Sequence, residues 1–385
     1  MTPITTAGPR FDLDRMLRSG LAELDITEAE HELVVRRYSE LGEVLDELWS
    51  STRGDNKVFS QGSFRLGTVV RNVHRNDDID IDIVAMRDIG MASITQESLK
   101  AEVGDAVRRY SRRVISGGPT VEESSRCWTL TWPGMHMDVL PAVPATDGGP
   151  HGLRITDRTV RHWLPSNPVG YANWFHARAA AGLTASGALE EKRLEIEAVP
   201  EWDYRSALQR AVQALKRHRD VYFGGRSHQR PSSIVLTTLA AHAYTGGNDL
   251  YDVVRRLVPE MGEHLLYVDD SWVLSNPAQP DENFVDSWAE EPNRSGHFFE
   301  WLRAAAADFA GLETKSGLNE TLPALGAAFG QRFERGASRG LAAQIGSARA
   351  KGELLLTAGG LSIANSTPHI QPTVVRDHGF AGGAR

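Results

Sequence analysis

Gln61-Gly62-Ser63-Phe64-Arg65-Leu66-Gly67-Thr68, followed at Asp80-Ile81-Asp82-Ile83-Val84, sets a Gly-Ser turn ahead of a strand that carries two carboxylates. Side chains alternate across a strand, so Asp80 and Asp82 share one face while Ile79, Ile81 and Ile83 point into a core. Two hard oxygen ligands then meet one spot. Magnesium takes oxygen ligands and uses only one or two protein carboxylates when substrate phosphates and water complete its shell. An isolated Asp-x-Asp is more often a solvated strand edge or loop, but here it follows a Gly-Ser turn and opens an alternating apolar run. Asp78 is in phase with the pair as well. The continuation Ile83-Val84-Ala85-Met86 favours Asp80 and Asp82, leaving Asp77 and Asp78 at the wetter entrance of the strand.

A third carboxylate arrives where a hairpin delivers it. Cys127-Trp128-Thr129-Leu130-Thr131-Trp132 alternates large apolar with small polar residues, Pro133-Gly134 signals a turn, and Met135-His136-Met137-Asp138-Val139-Leu140 returns as a second strand. Alone, Asp138 reads equally well as an ordinary exposed-face acid. Beside Asp80 and Asp82 it is the expected general base and metal ligand, and the three suggest a two-metal, in-line displacement at phosphorus.

The 385 residues allow about two domains, and 41% hydrophobic content suffices for real cores. The single cysteine, Cys127, rules out an intrachain disulfide and a cysteine-rich zinc site. No secretory pattern or long apolar span is evident, so a cytoplasmic chain without a membrane partner is expected. A net charge of -8 disfavours long nucleic acid as a partner, which needs a broad cationic surface.

The first recognisable helix begins near Thr27, a candidate N-cap, with Leu33, Val34, Tyr38, Leu41, Val44, Leu45, Leu48 and Trp49 at helical spacing. Asp147 to Gly152 is glycine-rich but lacks the strand and helix of a phosphate loop, so it reads as a connector. Asn167-Pro168 opens another helix, with Asn as N-cap and Pro at the first helical position; its Tyr171, Trp174 and Phe175 are expected in the core rather than as a base-stacking surface. A further helix runs from near Asp203 to Gly224-Gly225 on the stripe Leu208, Ala211, Val212, Leu215 and Tyr222, with Arg219 inside that stripe and Lys216 at its border. Cations so placed need partners. Pro231-Ser232-Ser233 starts the next helix, Ile234 to Tyr244, where one serine is expected to cap and the free amides favour a phosphate. Residues 246 to 366 read as helical with polar loops. Asn365 to Arg385 lacks an apolar period and reads as a mobile tail.

Four blocks in order, Gln61 to Ala85, Met137 to Ala142, Trp163 to Tyr171 and Leu208 to Asp220, resemble the bacterial CD-NTases. These are the cyclic-oligonucleotide synthases of CBASS anti-phage defence, relatives of cyclic GMP-AMP synthase. The resemblance, over roughly residues 28 to 245, implies an α+β chain: a pol-beta-like nucleotidyltransferase core with a long N-terminal helix, plus a C-terminal helical lobe that closes over an NTP. The expected domains are 1–200 for the N-terminal helix and core, 201–366 for the lobe and 367–385 for the tail. It further implies a nucleotidyltransferase that makes a cyclic di- or trinucleotide second messenger from NTPs, ATP among them, with two Mg2+ ions or Mn2+ as cofactor. Asp80, Asp82 and Asp138 would hold the metals. Gln61, Gly62 and Ser63 would meet the donor nucleotide, and Lys216 with Ser233, or Ser232 as second choice, the triphosphate. Arg219 could as easily pair with a structural acid. Two other readings stay open: transfer of a linear NMP to RNA, protein or a small molecule, and a non-catalytic nucleotide-binding regulator. His378-Gly379-Phe380-Ala381-Gly382-Gly383 resembles tails presented to ubiquitin-like conjugation enzymes, which would make such an enzyme a protein partner; the terminal Ala384-Arg385 departs from a glycine ending.

Overall fold

The computed structural model describes residues 13–49, 56–71, 73, 78–114, 117–145, 149–159, 162–181, 205–291, 293–315, 317–352, 354–357, 360–363 and 373–374. Two compact units emerge, Asp25–Ala306 and Met1–Leu24 with Ala307–Arg385. The larger is built on a mixed sheet. Strands β1 (Lys57–Gln61), β2 (Ile79–Met86), β3 (Thr120–Glu123), β4 (Trp128–Trp132) and β5 (Met135–Pro144) lie in the order β1-β2-β5-β4-β3. Two short strands, β6 (Leu153–Ile155) and β7 (Leu164–Ser166), extend it from β5. Among the described residues of this sheet only β2 and β5 run parallel, and the chain between them carries the crossover that parallel strands require.

Alternation decides which face is wet. Ile79, Ile81 and Ile83 of β2, Leu130 of β4, and Met137 and Val139 of β5 are all buried in one core with Val34, Leu41 and Leu45 of helix α2 (Glu28–Trp49) and Leu99, Val103 and Val107 of helix α4 (Gln96–Arg113). Each such side chain removed from water contributes on the order of 1.5–3 kcal/mol, so a one-residue slip of β2 would forfeit its whole apolar set. The opposite face keeps the polar members. Helix α2 begins as its sequence requires: Glu30 N donates to Thr27 Oγ1 at 3.3 Å and Thr27 N donates to Glu30 Oε2 at 2.7 Å, a reciprocal cap. Pro133-Gly134 closes the β4–β5 hairpin with Trp132 opposite Met135, and Gly134 takes the positive φ of 81° that the turn needs.

Helix α5 (Pro168–Ala181) starts as expected, Asn167 Oδ1 accepting from Gly170 N at 2.8 Å, and Tyr171 and Phe175 are buried. Helix α6 (Ala207–Phe223) opens on a capping box between Ser206 and Gln209 and ends at Gly224. It is buried far beyond its apolar stripe, with Gln209, Gln213, Lys216, Arg217, His218, Arg219 and Asp220 all inside. The reason lies opposite, where the segment after the short helix α3 (Gly62–Leu66) is neither helix nor strand, so its buried carbonyls need donors from elsewhere. Gln209 Nε2 donates to Leu66 O at 2.8 Å, Gln213 Nε2 to Val69 O at 2.6 Å, Lys216 Nζ to Thr68 O at 3.1 Å, and an Arg217 guanidinium nitrogen to Arg71 O at 3.2 Å.

Residues 246–366 differ from the helical reading. Helices α8 (Leu250–Glu260), α9 (Asn293–Leu312), α10 (Leu318–Phe329) and α11 (Gln331–Ala350) are present, but so are the hairpins β8 (Leu266–Val268) with β9 (Ser271–Val273), β10 (Ser275–Asn276) with β11 (Gln279–Asn283), and β12 (Leu354–Thr357) with β13 (Gly360–Ile363). Strands of two to five residues are too short to show a period. The β8–β9 turn is made by Asp269 and Asp270 at φ 48° and 59°, a left-handed pair that aspartate tolerates. Within the stretch expected as a tail, β14 (Thr373–Val374) pairs with β12; residues 375–385, including the His378 to Gly383 motif, lie outside the described residues. In the smaller unit, helix α1 (Leu13–Ala22), which the sequence reading passed over, packs on α11, and Arg332 Nε donates to Glu23 O at 2.8 Å. Among the described residues no helix is long and apolar enough to cross a membrane.

The Gln213 amide donates to Val69 O and, at 2.9 Å, to Asp25 Oδ1. Replacing Gln213 by Ala leaves that carbonyl without a donor inside the protein, and a loss of about 1–3 kcal/mol in urea unfolding is expected.

Candidate active site

The Gly-Ser turn is delivered to the acids by strand pairing. β1 runs antiparallel to β2 with Gln61 opposite Asp82, so the chain leaves the sheet at Gly62 directly beside that carboxylate. Gly62 sits at φ 58°, and a Cβ built on it would overlap Asp82 Oδ2. Only glycine satisfies both demands. Gln61 occupies the N-cap position of α3 without a side-chain cap bond, while Gly62 and Ser63 line a cleft of about 220 Å³ together with Thr68, Asp80, Asp82, Lys216, Arg219 and Ser233.

On the sheet face, Asp80 is exposed and Asp82 half-buried, both turned away from the isoleucines. Asp138 is the register partner of Asp82 across the parallel β2–β5 pair, so the third acid stands beside the second. It accepts a hydrogen bond from Thr129 Oγ1 at 2.6 Å and is not among the residues lining the cleft. Asp78 is engaged at the entrance of the strand, its Oδ2 lying 3.1 Å from Nε2 of His136, the register partner of Asp80. Burial first, then the negative charges of Asp138 and Asp80, push the Asp82 carboxyl up to about 7, while Lys216 pulls the other way.

Helix α6 closes the cleft with cations. Lys216, buried against Thr68 O, is pushed down to about 8 by burial and by Arg219, with Asp220, Asp82 and Asp80 opposing. Arg219 meets the structural acid expected of it, Nε donating to Asp220 Oδ1 at 2.9 Å, but it also lines the cleft and donates to Pro231 O at 3.0 Å and Ser233 Oγ at 3.1 Å. Ser233 is the first residue of helix α7 (Ser233–Ala243). Ser232, exposed at the N-cap position, makes no side-chain cap bond and does not line the cleft. The expectation that one serine caps is therefore corrected: Ser233 Oγ is taken by Arg219, and Ser232 caps by backbone conformation alone, at φ -65° and ψ 153°. Arg230 and Thr237 also line the cleft and were not singled out from sequence. Gln209, Gln213 and Lys216 had a signal, since polar residues at i, i+4 and i+7 interrupt an otherwise apolar helix.

Among the described residues no three His, Cys, Asp or Glu side chains converge tightly enough to cage a metal unaided. The donor set instead fits a hard cation with open positions: Asp80 and Asp82 beside a cationic wall, with the Asp82 carboxyl pushed up by burial and by its acidic neighbours.

The sequence and fold have known relatives. The family description Second Messenger Oligonucleotide or Dinucleotide Synthetase domain matches residues 12–178. A c-di-GMP synthase of Roseivirga ehrenbergii is 28% identical over 269 residues, covering 69% of this chain and 69% of the relative. The cyclic dinucleotide synthase CdnG of Bradyrhizobium diazoefficiens is 26% identical over 304 residues, covering 72% of this chain and 70% of the relative. The structure of CdnG in complex with GTP shares the fold at a TM-score of 0.67 and 22% identity, over 86% of this chain and 99% of that one. The chain is thus similar, in the segment that carries the acids, to a domain of second-messenger synthetases and, over about 70% of its length, to cyclic dinucleotide synthases, which are nucleotidyltransferases.

With its folded-state value raised from 3.8 to about 7, Asp82 makes the metal-free folded protein bind more protons than the unfolded chain between those values. Its contribution to stability is therefore present at low pH and lost as pH rises through that window. Calorimetry of the metal-free protein is expected to show Tm falling with pH across this range, and falling less in Asp82→Asn.

Proposed function

We propose that this chain is a magnesium-dependent cyclic dinucleotide synthase. The observation that carries the reading is the alignment of Asp82 with Asp138 on the wet sheet face beside Asp80, next to a cleft to which the turn presents Ser63, helix α6 Lys216 and the start of helix α7 Ser233. The core and helical lobe, 1–200 and 201–366, are the two parts between which an NTP would be held, with 367–385 as a tail.

Each residue has a task that its surroundings support. Gly62 and Ser63, with Gln61 before them, receive the donor triphosphate, and Lys216 with Ser233 offsets its charge, Ser232 being the second choice. Arg219 adds a further cation to that wall. Asp138 accepts the proton of the attacking ribose hydroxyl, which forms a phosphodiester at the α-phosphorus of the second nucleotide as pyrophosphate departs. A second such transfer closes the ring, so two NTPs yield one cyclic dinucleotide and two pyrophosphates. Asp80, Asp82 and Asp138 would hold Mg2+, which when bound supplies charge neutralisation and lowers the cost of the developing negative charge. Asp82, pushed up to about 7 by burial and its acidic neighbours, is suited to that exchange of proton for metal.

The relatives favour guanine as one of the two bases, since one is a c-di-GMP synthase and the other has been captured with GTP. The product would act as a second messenger in anti-phage defence.

Incubation with all four NTPs and Mg2+, phosphatase digestion and mass spectrometry are expected to reveal a phosphatase-resistant cyclic dinucleotide. Asp80→Ala with Asp82→Ala should reduce turnover to background without lowering Tm, because removing clustered like charges relieves repulsion. A linear product with free terminal phosphates, or full activity in the double variant, refutes the proposal.

A further inference from the structure

Asp138 has a neighbour that none of these roles uses. Thr129 of β4 is its register partner across the antiparallel β4–β5 pair, and the two side chains meet at 2.6 Å. An ionised carboxylate can only accept, so the single hydroxyl proton of Thr129 points to Asp138 Oδ1. Thr129 Oγ1 also lies 3.3 Å from Ser124 Oγ. With the Thr129 proton already committed, Ser124 is the donor there, and the hydrogen bonds run in one direction from Ser124 through Thr129 to Asp138.

The far end of this chain is anchored. Lys100 of α4, itself buried, donates from Nζ to Ser124 O at 2.6 Å and Ser125 O at 2.5 Å, and Ser124 N donates to Cys127 O at 3.0 Å. The loop between β3 and β4 is thus tied to a cation in the core while its first hydroxyl reaches toward the site.

We propose that Thr129, oriented by Ser124, is a positioning residue for the transfer reaction: it fixes the carboxylate plane of Asp138 so that the second oxygen meets the attacking hydroxyl. The inference rests on the reading of Asp138 as the acid that takes the hydroxyl proton. The terminal torsion of an aspartate is broad, and a short charge-assisted hydrogen bond to one oxygen removes that freedom. The strand fixes Cβ, the hydroxyl fixes Oδ1, and the position of Oδ2 follows. Outer partners of this type change activity or metal affinity by roughly 10–100-fold when removed.

The test uses the full chain with Thr129→Val, which keeps shape and loses the hydroxyl, and Thr129→Ser, which keeps the hydroxyl. Thr129→Val is expected to lower kcat roughly 10–100-fold, with KM for NTP changed by less than about twofold. It should also weaken Mn2+ binding, read by electron paramagnetic resonance with a non-hydrolysable NTP, and Thr129→Ser should recover most of both. Wild-type kcat and Mn2+ affinity in Thr129→Val, or a Thr129→Ser no better than Thr129→Val, overturns the inference. Should Thr129→Val fail to fold, Ser124→Ala decides at an exposed position: a smaller fall in kcat supports the inference and an unchanged kcat overturns it. Asp138→Asn separates the two levels. If that variant is inactive while Thr129→Val is unimpaired, only the positioning role falls; if Asp138→Asn remains active, the reading of Asp138 falls with it.

Discussion

Like charge held at close quarters is the constraint on which this structure turns. Asp82 and Asp138 are Cα partners on adjacent parallel strands, and Asp80 is one pleat away on the same face. An arrangement of that kind resists formation unless something stronger fixes the strands, and the opposite face provides it: the isoleucines of β2 and the apolar residues of β4 and β5 close one continuous core with α2 and α4. The repulsion stays visible at Asp82, whose carboxyl is driven toward neutral pH by burial and its two acidic neighbours. Lys216 reduces that strain without removing it, since burial pushes its own ammonium down as well.

A second constraint couples the acids to the helices. The chain leaving the Gly-Ser turn runs irregularly through buried space, so its carbonyls depend on the side chains of α6. One helix therefore satisfies the loop after the turn and presents Lys216 and Arg219 to the cleft. Displacing it would disturb turn and cations together.

What could be read from sequence follows from what has a period or a fixed chemistry. The alternation in β2, the Pro133-Gly134 hairpin, the Thr27 and Asn167 caps and the in-phase acids all declare themselves locally. The strands beyond residue 260 do not, because two to five residues carry no period. Helix α1 was available in the spacing of Leu13, Met16, Leu17 and Leu21 but is short and charged on its other face. The double engagement of Arg219, with Asp220 and with the cleft, depends on where α7 begins in space, which spacing along α6 cannot convey. Ser232 and Ser233 are adjacent in sequence, yet only Ser233 turns into the cleft.

The claim at the centre is that the crowded carboxylates await a hard cation carried with a nucleotide. Calorimetric titration of the protein with Mg2+ and a non-hydrolysable NTP near pH 6.5, repeated in buffers of different ionisation enthalpy, counts the protons released on binding. Release of on the order of one proton is expected, largely abolished in Asp82→Asn, because the ligand must displace the proton that burial and like charge hold on Asp82. Binding without proton release, or release undiminished in Asp82→Asn, would contradict it.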